Sequence, residues 1–243
     1  MLRNNGPFRA LIVAQAIRAL AFWLVFTSIM ATASFTLHAS SAAMTAIIAG
    51  FAVPHIVLAP FSGLIVDRSN PKIALAAAFI GGGGVATALI FATHVWHVVA
   101  LALIWSVTGT LIIPSVGALL KGLVSEERLR VANGINQATF EATLIIGPAL
   151  AGFLSDRFGR ALPMAIADGL YVVAAVCVLA VRYRPERSEM PPPGRLLVEI
   201  REGLGHIRRV PDLRVLVGWG ALGWGAFAAL LALEPVFVRE YLG

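Results

Sequence analysis

Two side chains of opposite charge lie deep inside long apolar stretches of the sequence. Arg18 follows Phe8, where the first stretch begins, by ten residues, and Glu141 follows Arg130 by eleven. At about 1.5 Å per helical residue, each lies roughly 15 Å along its helix, near the centre of a bilayer. A charge left there costs on the order of 3 kcal/mol, so each needs a cavity or a partner. The matched depth predicts that Arg18 and Glu141 form a pair.

Such a pair would allow proton chemistry inside the membrane. A buried carboxyl group favours its neutral form, whereas a nearby guanidinium favours the ionised form. We therefore expect protonation of Glu141 to switch the pair between joined and parted states, with Arg18 competing for the substrate or the proton. The alternative is a permanent salt bridge that only fixes the packing of the helices.

Uncharged polar residues accompany both charges at helical spacing. Gln15 and Phe22 share one face of a helix with Arg18, by steps of three and four residues. On a helical wheel, the side that carries Glu141 also carries three amides, and the opposite side is apolar. The three amides are Asn133, Asn136 and Gln137. The candidate functional residues are therefore Arg18, Glu141, Gln137, Asn133 and Gln15.

The composition places these residues in an integral membrane protein. Of the 243 residues, 58% are hydrophobic and 13% are charged, and the mean hydropathy is +0.84. A soluble domain of this length cannot bury so much apolar surface in one core. The sequence pI near 10.4 does not indicate nucleic acid, because the basic residues flank apolar stretches instead of forming a polar face.

Seven apolar stretches are long enough to cross a bilayer, which takes about 20 helical residues. They run over residues 8–37, 42–66, 72–93, 97–120, 130–154, 161–181 and 213–238. The first also begins like a secretory signal peptide, but it is too long for one and Arg18 interrupts it. We therefore predict an all-α membrane protein with seven spans.

A linker separates the sixth and seventh spans. Residues 182–213 hold a charged run and three prolines, followed by apolar residues at three- and four-residue steps. That pattern predicts an amphipathic helix at the membrane surface, which ends at Pro211. Fifteen of the 19 Lys and Arg residues fall on the side of the N-terminus and the linker, and three fall on the other. This bias predicts that the N-terminus and the linker are cytoplasmic.

The loop between the second and third spans carries a charged motif, Gly63-Leu-Ile-Val-Asp67-Arg68-Ser-Asn-Pro71-Lys72. Asn70 and Pro71 suit the N-cap and the first position of a helix, and we expect Gly63 to let two backbones approach. The pattern resembles the signature loop of the major facilitator superfamily of secondary transporters. The alternative is a capped turn whose charges lie at the membrane surface.

The motif recurs loosely at the end of the fifth span, as Gly152-Phe-Leu-Ser-Asp156-Arg157. Spans two and five would then be equivalent. They end on opposite faces of the membrane, as a repeat of three helices with inverted topology requires. We predict a 3+3 inverted repeat over the first six spans.

The fifth span resembles the fifth helix of the superfamily's antiporters. Its segment Ile146-Gly147-Pro148-Ala149-Leu150-Ala151-Gly152 is similar to the Gly-Pro-rich helix of the branch that exports macrolides and enterobactin. Three further segments resemble that branch: residues 114–115, 123–128 and 199–204. Pro148 frees a backbone carbonyl and bends the helix, while Gly147 and Gly152 allow close helix contact. Two interpretations of these glycines and this proline are open: they take part in gating, or they only allow the helices to pack.

The resemblance implies a fold of twelve helices in two halves, of which this chain supplies one half and one further helix. The implied domains are a six-helix transmembrane bundle (1–183), a cytoplasmic linker (184–212) and the first helix of an incomplete second half (213–243). The implied function is proton-coupled efflux of drug-like or siderophore-like molecules across the plasma (inner) membrane. The partners are then a small-molecule substrate, the lipid bilayer, and the missing C-terminal half or another membrane chain.

Other classes of function remain as alternatives. A truncated chain would assemble with another membrane chain and transport nothing by itself. A membrane enzyme would need a catalytic constellation, and the sequence has no Ser-His-Asp, Cys-His or phosphate-cradling motif. His94 and His97 lack an accompanying carboxylate or cysteine, so no metal and no cofactor are expected. His55 is interpreted as a satisfied buried histidine, with lining of the cavity as the alternative, and Asp168 is interpreted as a helix-packing or interfacial residue.

Overall fold

Long helices form the part of the chain that the computed structural model describes, residues 5–183, 201–202 and 205–241. They are α1 (Gly6–Ala31), continued by a π-helical turn (Thr32–Thr36), α2 (Ser41–Asp67), α3 (Pro71–Ile90), α4 (Val95–Gly109), α5 (Ile112–Leu123), α6 (Glu126–Phe158), α7 (Ala161–Ala180) and α8 (Pro211–Tyr241). Among the described residues, seven helical stretches are long and apolar enough to cross a membrane, as predicted. Most of the predicted amphipathic linker helix lies outside the described residues.

The seven stretches are numbered as spans in chain order. Span 1 is α1 with its π-helical turn, spans 2 and 3 are α2 and α3, and span 4 is α4 together with α5. Spans 5, 6 and 7 are α6, α7 and α8.

Asparagine side chains cap two of the spans. Asn5 Oδ1 accepts a hydrogen bond from the Phe8 amide at 3.0 Å, and Asn70 Oδ1 accepts one from the Lys72 amide at 3.0 Å. Such caps satisfy amide groups that have no partner inside the first helical turn. The predicted start of span 3, with Asn70 as N-cap and Pro71 at the first position, is confirmed.

Span 4 is interrupted between α4 and α5, whereas the sequence predicted one continuous helix. Pro114 explains the interruption. It has no amide hydrogen to donate to the Thr110 carbonyl, and its ring crowds that carbonyl. The helical hydrogen bonds resume with Ser115, whose amide donates to the Leu111 carbonyl at 3.2 Å.

The contacts between spans follow the pattern of an inverted repeat. Span 1 packs along spans 5 and 6, span 4 packs along spans 2 and 3, and span 3 packs against span 6. If span 1 is exchanged with span 4, span 2 with span 5 and span 3 with span 6, the contact of span 1 with span 5 becomes that of span 4 with span 2. The contact of span 1 with span 6 becomes that of span 4 with span 3, and the contact of span 3 with span 6 is unchanged. The predicted 3+3 bundle is therefore confirmed.

The run of glycines in span 3 allows close packing between helices. A Cβ atom at Gly81 would lie 2.6 Å from Thr108 Cγ2, and one at Gly83 would lie 2.5 Å from Asp168 Oδ1. Neither position has room for a side chain, so span 3 approaches spans 4 and 6 closely. At Gly84, in contrast, a Cβ atom would meet no described atom within 4 Å.

Two other glycines do not mark the close contacts that the sequence predicted. A Cβ atom at Gly63 or Gly152 would meet no described atom within 4 Å. Gly63 is half-buried and Gly152 is exposed. The neighbouring side chains Ile65 and Phe153 are 52% and 62% exposed.

Span 7 packs against one side of the six-helix bundle. It contacts span 2 and the π-helical turn of span 1, and Ser34 Oγ donates to the Pro235 carbonyl at 2.9 Å. Much of its described surface is exposed, including Trp219 and Trp224 at 71% and 74%. An apolar surface of this kind suits contact with lipid or with another protein.

Candidate functional site

Arg18 is buried in the middle of the bundle against aromatic rings. Its side chain is 8% exposed. The guanidinium carbon lies 5.3 Å from the ring centre of Phe140 on span 5 and 6.0 Å from that of Phe22 on its own span. Both distances suit a cation–π interaction, which offsets part of the lost hydration. No carboxylate among the described residues lies within ion-pair distance of Arg18.

Six aromatic side chains from spans 1, 2, 4 and 5 contact one another around this point. This aromatic cluster consists of Phe22, Trp23, Phe26, Phe51, Trp105 and Phe140. The ring centre of Phe22 lies 4.9 Å from that of Trp105 and 5.7 Å from that of Phe140. Rings at such separations attract one another beyond the burial of their area. The cluster therefore joins four spans around the Arg18 side chain.

Tyr171 connects span 6 to the aromatic cluster. Its hydroxyl accepts a hydrogen bond from Trp105 Nε1 at 3.3 Å, and the residue is 2% exposed. Sequence reasoning missed Tyr171 and the role of the cluster. The available signal was the four-residue spacing of Phe22 and Phe26, together with polar-tipped rings in otherwise apolar spans.

Five buried polar atoms of span 1 have no hydrogen-bond partner among the described residues: Gln15 Oε1, Arg18 Nε, Trp23 Nε1, Ser28 Oγ and Thr32 Oγ1. The other end of the Gln15 amide is satisfied, because its Nε2 donates to Asn136 Oδ1 on span 5 at 3.3 Å. Folded proteins seldom leave buried polar atoms without partners, since each one is costly. A polar ligand that bonds to these atoms would therefore gain more binding free energy here than in a part of the bundle where every polar atom has a partner.

Glu141 lies on the exposed face of span 5. Gln137 Nε2 donates to its Oε1 at 2.6 Å. Asn133 lies two turns before Glu141 on the same face, and its amide donates to the Leu129 carbonyl at 3.0 Å. These three residues, Asn133, Gln137 and Glu141, form a polar stripe at four-residue steps, and all three are exposed.

The predicted ion pair between Arg18 and Glu141 is not formed. Both residues do lie near the middle of their spans, Gly6–Thr36 and Glu126–Phe158, so the predicted depth is correct. Consecutive residues of an α-helix point about 100° apart. Because Phe140 faces Arg18, the next residue, Glu141, turns to the exposed face and accepts from Gln137. Glu141 therefore points about 100° away from Phe140 around span 5, while Arg18 packs against the Phe140 ring.

The predicted polar side of span 5 is divided between two directions. Asn136 faces inward to Gln15, whereas the polar stripe faces outward. The predicted apolar side is not buried either, since Val131 and Ile145 are 55% and 79% exposed. The residues that span 5 buries are small: Ala132, Gly147 and Ala151.

Gly147 forms a close contact between spans 1 and 5. A Cβ atom there would overlap the Trp23 side chain, so the predicted close approach is confirmed at this glycine. Pro148 follows within an unbroken helix. It cannot donate to the Leu144 carbonyl, and this missing hydrogen bond makes span 5 easier to bend at that depth.

The signature loop presents charges at one end of the bundle. Asp67 and Arg68 are exposed, and Lys72 is half-buried in the first turn of span 3. The Arg68 amide donates to the Leu64 carbonyl at 3.2 Å, which ends span 2 in a regular way. The loop is therefore a capped turn with charged side chains on its surface.

A second polar contact joins spans 2 and 4. Ser106 Oγ donates to the Phe51 carbonyl at 2.6 Å, and His55 Nδ1 lies 2.7 Å from the same hydroxyl oxygen. His55 is thus hydrogen-bonded, although it is exposed and not buried. Within the described ranges, no group of three His, Cys, Asp or Glu residues could hold a metal ion.

Known transporters match the chain over most of its length. The family model described as Major Facilitator Superfamily matches residues 11–243. YfiS, an uncharacterized MFS-type transporter of Bacillus subtilis, is 28% identical over 88% of this chain and 52% of its own length. The uncharacterized MFS-type transporter y4rN of Sinorhizobium fredii is 30% identical over 76% of this chain and 47% of its own length.

A third relative has a name that describes a function. Multidrug resistance protein 1 of Bacillus subtilis is 26% identical over 63% of this chain and 39% of its own length. The chain spans about half the length of the curated relatives it matches.

Proposed function

We propose that this chain, which belongs to the Major Facilitator Superfamily, is the N-terminal part of a proton-coupled secondary transporter that exports small molecules. Its family is one of membrane transporters, whose work is to move a small molecule and not to change it chemically. One observation carries the proposal of coupling. Two opposite charges lie near mid-span without forming an ion pair: Arg18 packs against the Phe140 ring, and Glu141 lies on the exposed face of span 5.

Glu141 is the proposed site of protonation. Its exposed position on span 5 gives a proton access, and Gln137 is a suitable neighbour for both protonation states. The amide nitrogen of Gln137 donates to the ionised carboxylate, and its carbonyl oxygen can accept from the protonated one. Asn133 continues the polar stripe along the same face.

Arg18 is proposed to keep its positive charge while Glu141 gains or loses a proton. Attraction to the guanidinium favours the approach of an ionised Glu141, and protonation removes that attraction. Rotation of span 5 by about 100° would exchange Phe140 for Glu141 opposite Arg18. Protonation would therefore bias the packing of span 5 on span 1 between two arrangements.

Gly147 and Pro148 are the proposed gating residues of span 5. The absence of a side chain at Gly147 lets span 5 turn against Trp23 without a clash. Pro148 removes one helical hydrogen bond at the same level. Gly152 lies a little more than one turn further on, on an exposed face that leaves space for a neighbouring surface.

The proposed location is the plasma (inner) membrane, with the N-terminus and the linker in the cytoplasm. The proposed domains are the bundle of residues 1–183, the linker of 184–212 and the start of a second half at 213–243. The excess of basic residues on one side supports this orientation. Labels near Lys121 and Arg195 should react from the same side of the membrane, and reaction from opposite sides would contradict it.

A second candidate function is assembly with another membrane chain, without transport by this chain alone. Large exposed apolar side chains favour it, such as Ile113 at 76%, Ile145 at 79% and Trp224 at 74%. The reading frame separates the two candidates. Continuation past Gly243 into five more spans supports transport, and a stop codon at that point supports assembly.

Transport by the full-length product of the reading frame tests the first proposal. In proteoliposomes with an imposed pH gradient, we expect Glu141→Gln to remove the response of dye transport to the gradient. Glu127→Gln, in the exposed first turn of the same helix, is the matched control and should leave that response intact. Proton-driven efflux that persists in the Glu141→Gln protein contradicts the coupling role.

A further inference from the structure

We propose that this site selects zwitterionic substrates, in which a flat aromatic body carries a negative group at one end and a positive group at the other. The inference rests on the proposed function in one respect, that spans 1 and 5 face the substrate path. It follows from the placement of Arg18 against the Phe140 ring and of Glu141, the next residue of span 5, on the exposed face. A substrate with a single charge can neutralise only one of them.

The negative group of the substrate would bind Arg18. The guanidinium is buried, and its described neighbours are the rings of Phe22 and Phe140 instead of a carboxylate. Arg18 Nε is enclosed without a partner, and Trp23 Nε1 is a second unpartnered donor on the same span. A planar carboxylate can accept two parallel hydrogen bonds from a guanidinium. An anion would thus supply the acceptor that this part of the bundle lacks.

The positive group of the substrate would bind Glu141. This carboxylate is exposed and receives one hydrogen bond, from Gln137, so it keeps free lone pairs for a further donor. It follows Phe140 in the sequence and points about 100° away from it around span 5. An ammonium group there would be attracted by the carboxylate and by the faces of neighbouring rings.

The aromatic body of the substrate would lie against the aromatic cluster. Phe140 takes part in contacts with Phe22 and Trp23, with ring centres 5.7 Å and 5.6 Å apart. A flat ring inserted beside Phe140 can stack on it or meet it edge to face. The length of one aromatic body then sets the distance between the two charged ends.

The same arrangement determines how a proton would compete with the substrate. A proton on Glu141 removes the charge that holds the ammonium group, while Arg18 keeps the carboxylate. Proton and substrate therefore exclude each other at Glu141 and not at Arg18. This mutual exclusion is what exchange of a proton for a substrate requires.

Four matched probes test the inference by binding alone. They are 6-(aminomethyl)-2-naphthoic acid as the zwitterion, its methyl ester as the cation, its N-acetyl derivative as the anion, and the compound with both modifications. Affinity is measured by calorimetry on the full-length product of the reading frame in lipid nanodiscs at neutral pH. We expect the zwitterion to bind about tenfold or more tightly than either singly charged probe.

Variants assign each charge to its partner. Arg18→Gln should reduce the zwitterion to the affinity of the cation, and Glu141→Gln should reduce it to the affinity of the anion. Glu127→Gln should change none of the four affinities. The comparison of the four probes on the unaltered protein needs no variant, so it decides the matter even where Arg18→Gln fails to fold.

Three results would overturn the inference. They are equal binding of the cation and the zwitterion, equal binding of the anion and the zwitterion, and no binding of any probe. The outcome is separate from that of the coupling proposal. A zwitterion preference without a response to the pH gradient removes the coupling alone, and a gradient response with equal affinities removes the zwitterion preference alone.

Discussion

Spans 1 and 5 and spans 2 and 4 are equivalent pairs in the inverted repeat, yet they are joined in different ways. Between spans 2 and 4, Ser106 donates to the Phe51 carbonyl at 2.6 Å and His55 Nδ1 lies 2.7 Å from the same hydroxyl. Because Ser106 has one hydrogen and donates it to Phe51, His55 must be the donor in the second contact. These groups have partners at the contact, whereas Ser115 Oγ, further along span 4, is buried without one among the described residues.

Between spans 1 and 5 the contact is less complete. Gln15 donates to Asn136 over 3.3 Å, while Gln15 Oε1, Arg18 Nε and Trp23 Nε1 are buried without partners among the described residues. A pair of helices that satisfies its own polar groups gains nothing from a ligand, whereas one that does not can bind a ligand in their place. The difference indicates that spans 2 and 4 stay packed together, and we call them the fixed pair. Spans 1 and 5 form the contact at which a ligand can bind, and we call them the working pair.

Filling the space at Gly147 is the strongest way to break the contact between spans 1 and 5. Gly147→Leu places carbon atoms where the Trp23 side chain lies, and we expect it to lower the free energy of unfolding by about 3 kcal/mol. Thermal unfolding in detergent measures the effect. Gly152→Leu, where a Cβ atom meets no described atom within 4 Å, is the control and should unfold near the original temperature. Equal loss in both proteins would contradict the assignment of Gly147 as a contact.

Removing the Ser106 hydroxyl tests the pair formed by spans 2 and 4. Ser106→Ala removes the hydroxyl that donates to the Phe51 carbonyl and accepts from His55 Nδ1, which keeps the Phe51 carbonyl as an acceptor at 3.1 Å, so we expect a loss of about 1 kcal/mol in stability. Thr45→Ala removes an exposed hydroxyl that bonds the Ser41 carbonyl on the same span, and should change stability much less. If both changes have the same small effect, spans 2 and 4 are not a fixed pair.

Gln15→Leu should have the smallest effect on stability of the three changes. It removes the hydrogen bond to Asn136, but it also removes the unpartnered Gln15 Oε1, so we expect a net change within about 0.5 kcal/mol. Denaturation in detergent, performed beside Ser106→Ala, measures the contrast. A loss as large as that of Ser106→Ala would show that spans 1 and 5 are joined as firmly as spans 2 and 4.

Hydropathy and local signals predicted the fold well. The seven spans follow from apolar length, the start of span 3 from Asn70 and Pro71, and the repeat from the recurring Gly–Asp–Arg pattern. Each of these signals is local or depends on length, so it does not need the packing of one span against another. The interruption of span 4 was also readable in principle, since Pro114 lies inside it.

The direction in which each side chain points was not predictable in the same way. A soluble helix reveals its buried face because its other face is polar, but a membrane span is apolar towards both lipid and protein. Val131 and Ile145 therefore gave no sign that they would be exposed. The inward turn of Phe140, and with it the outward turn of Glu141, is set by the contacts of Phe140 with Phe22 and Trp23 on span 1.

Water access to position 141 is the most direct test of the account. With Cys177 replaced by Ser, we introduce Glu141→Cys on the polar stripe and, separately, Val176→Cys on span 6, which is 61% exposed on an apolar face. Both proteins are treated in membranes with a water-soluble maleimide. The account predicts rapid labelling at position 141, slowed by a bound substrate, and little labelling at 176. Absence of labelling at 141, or equal labelling at both positions, would contradict it.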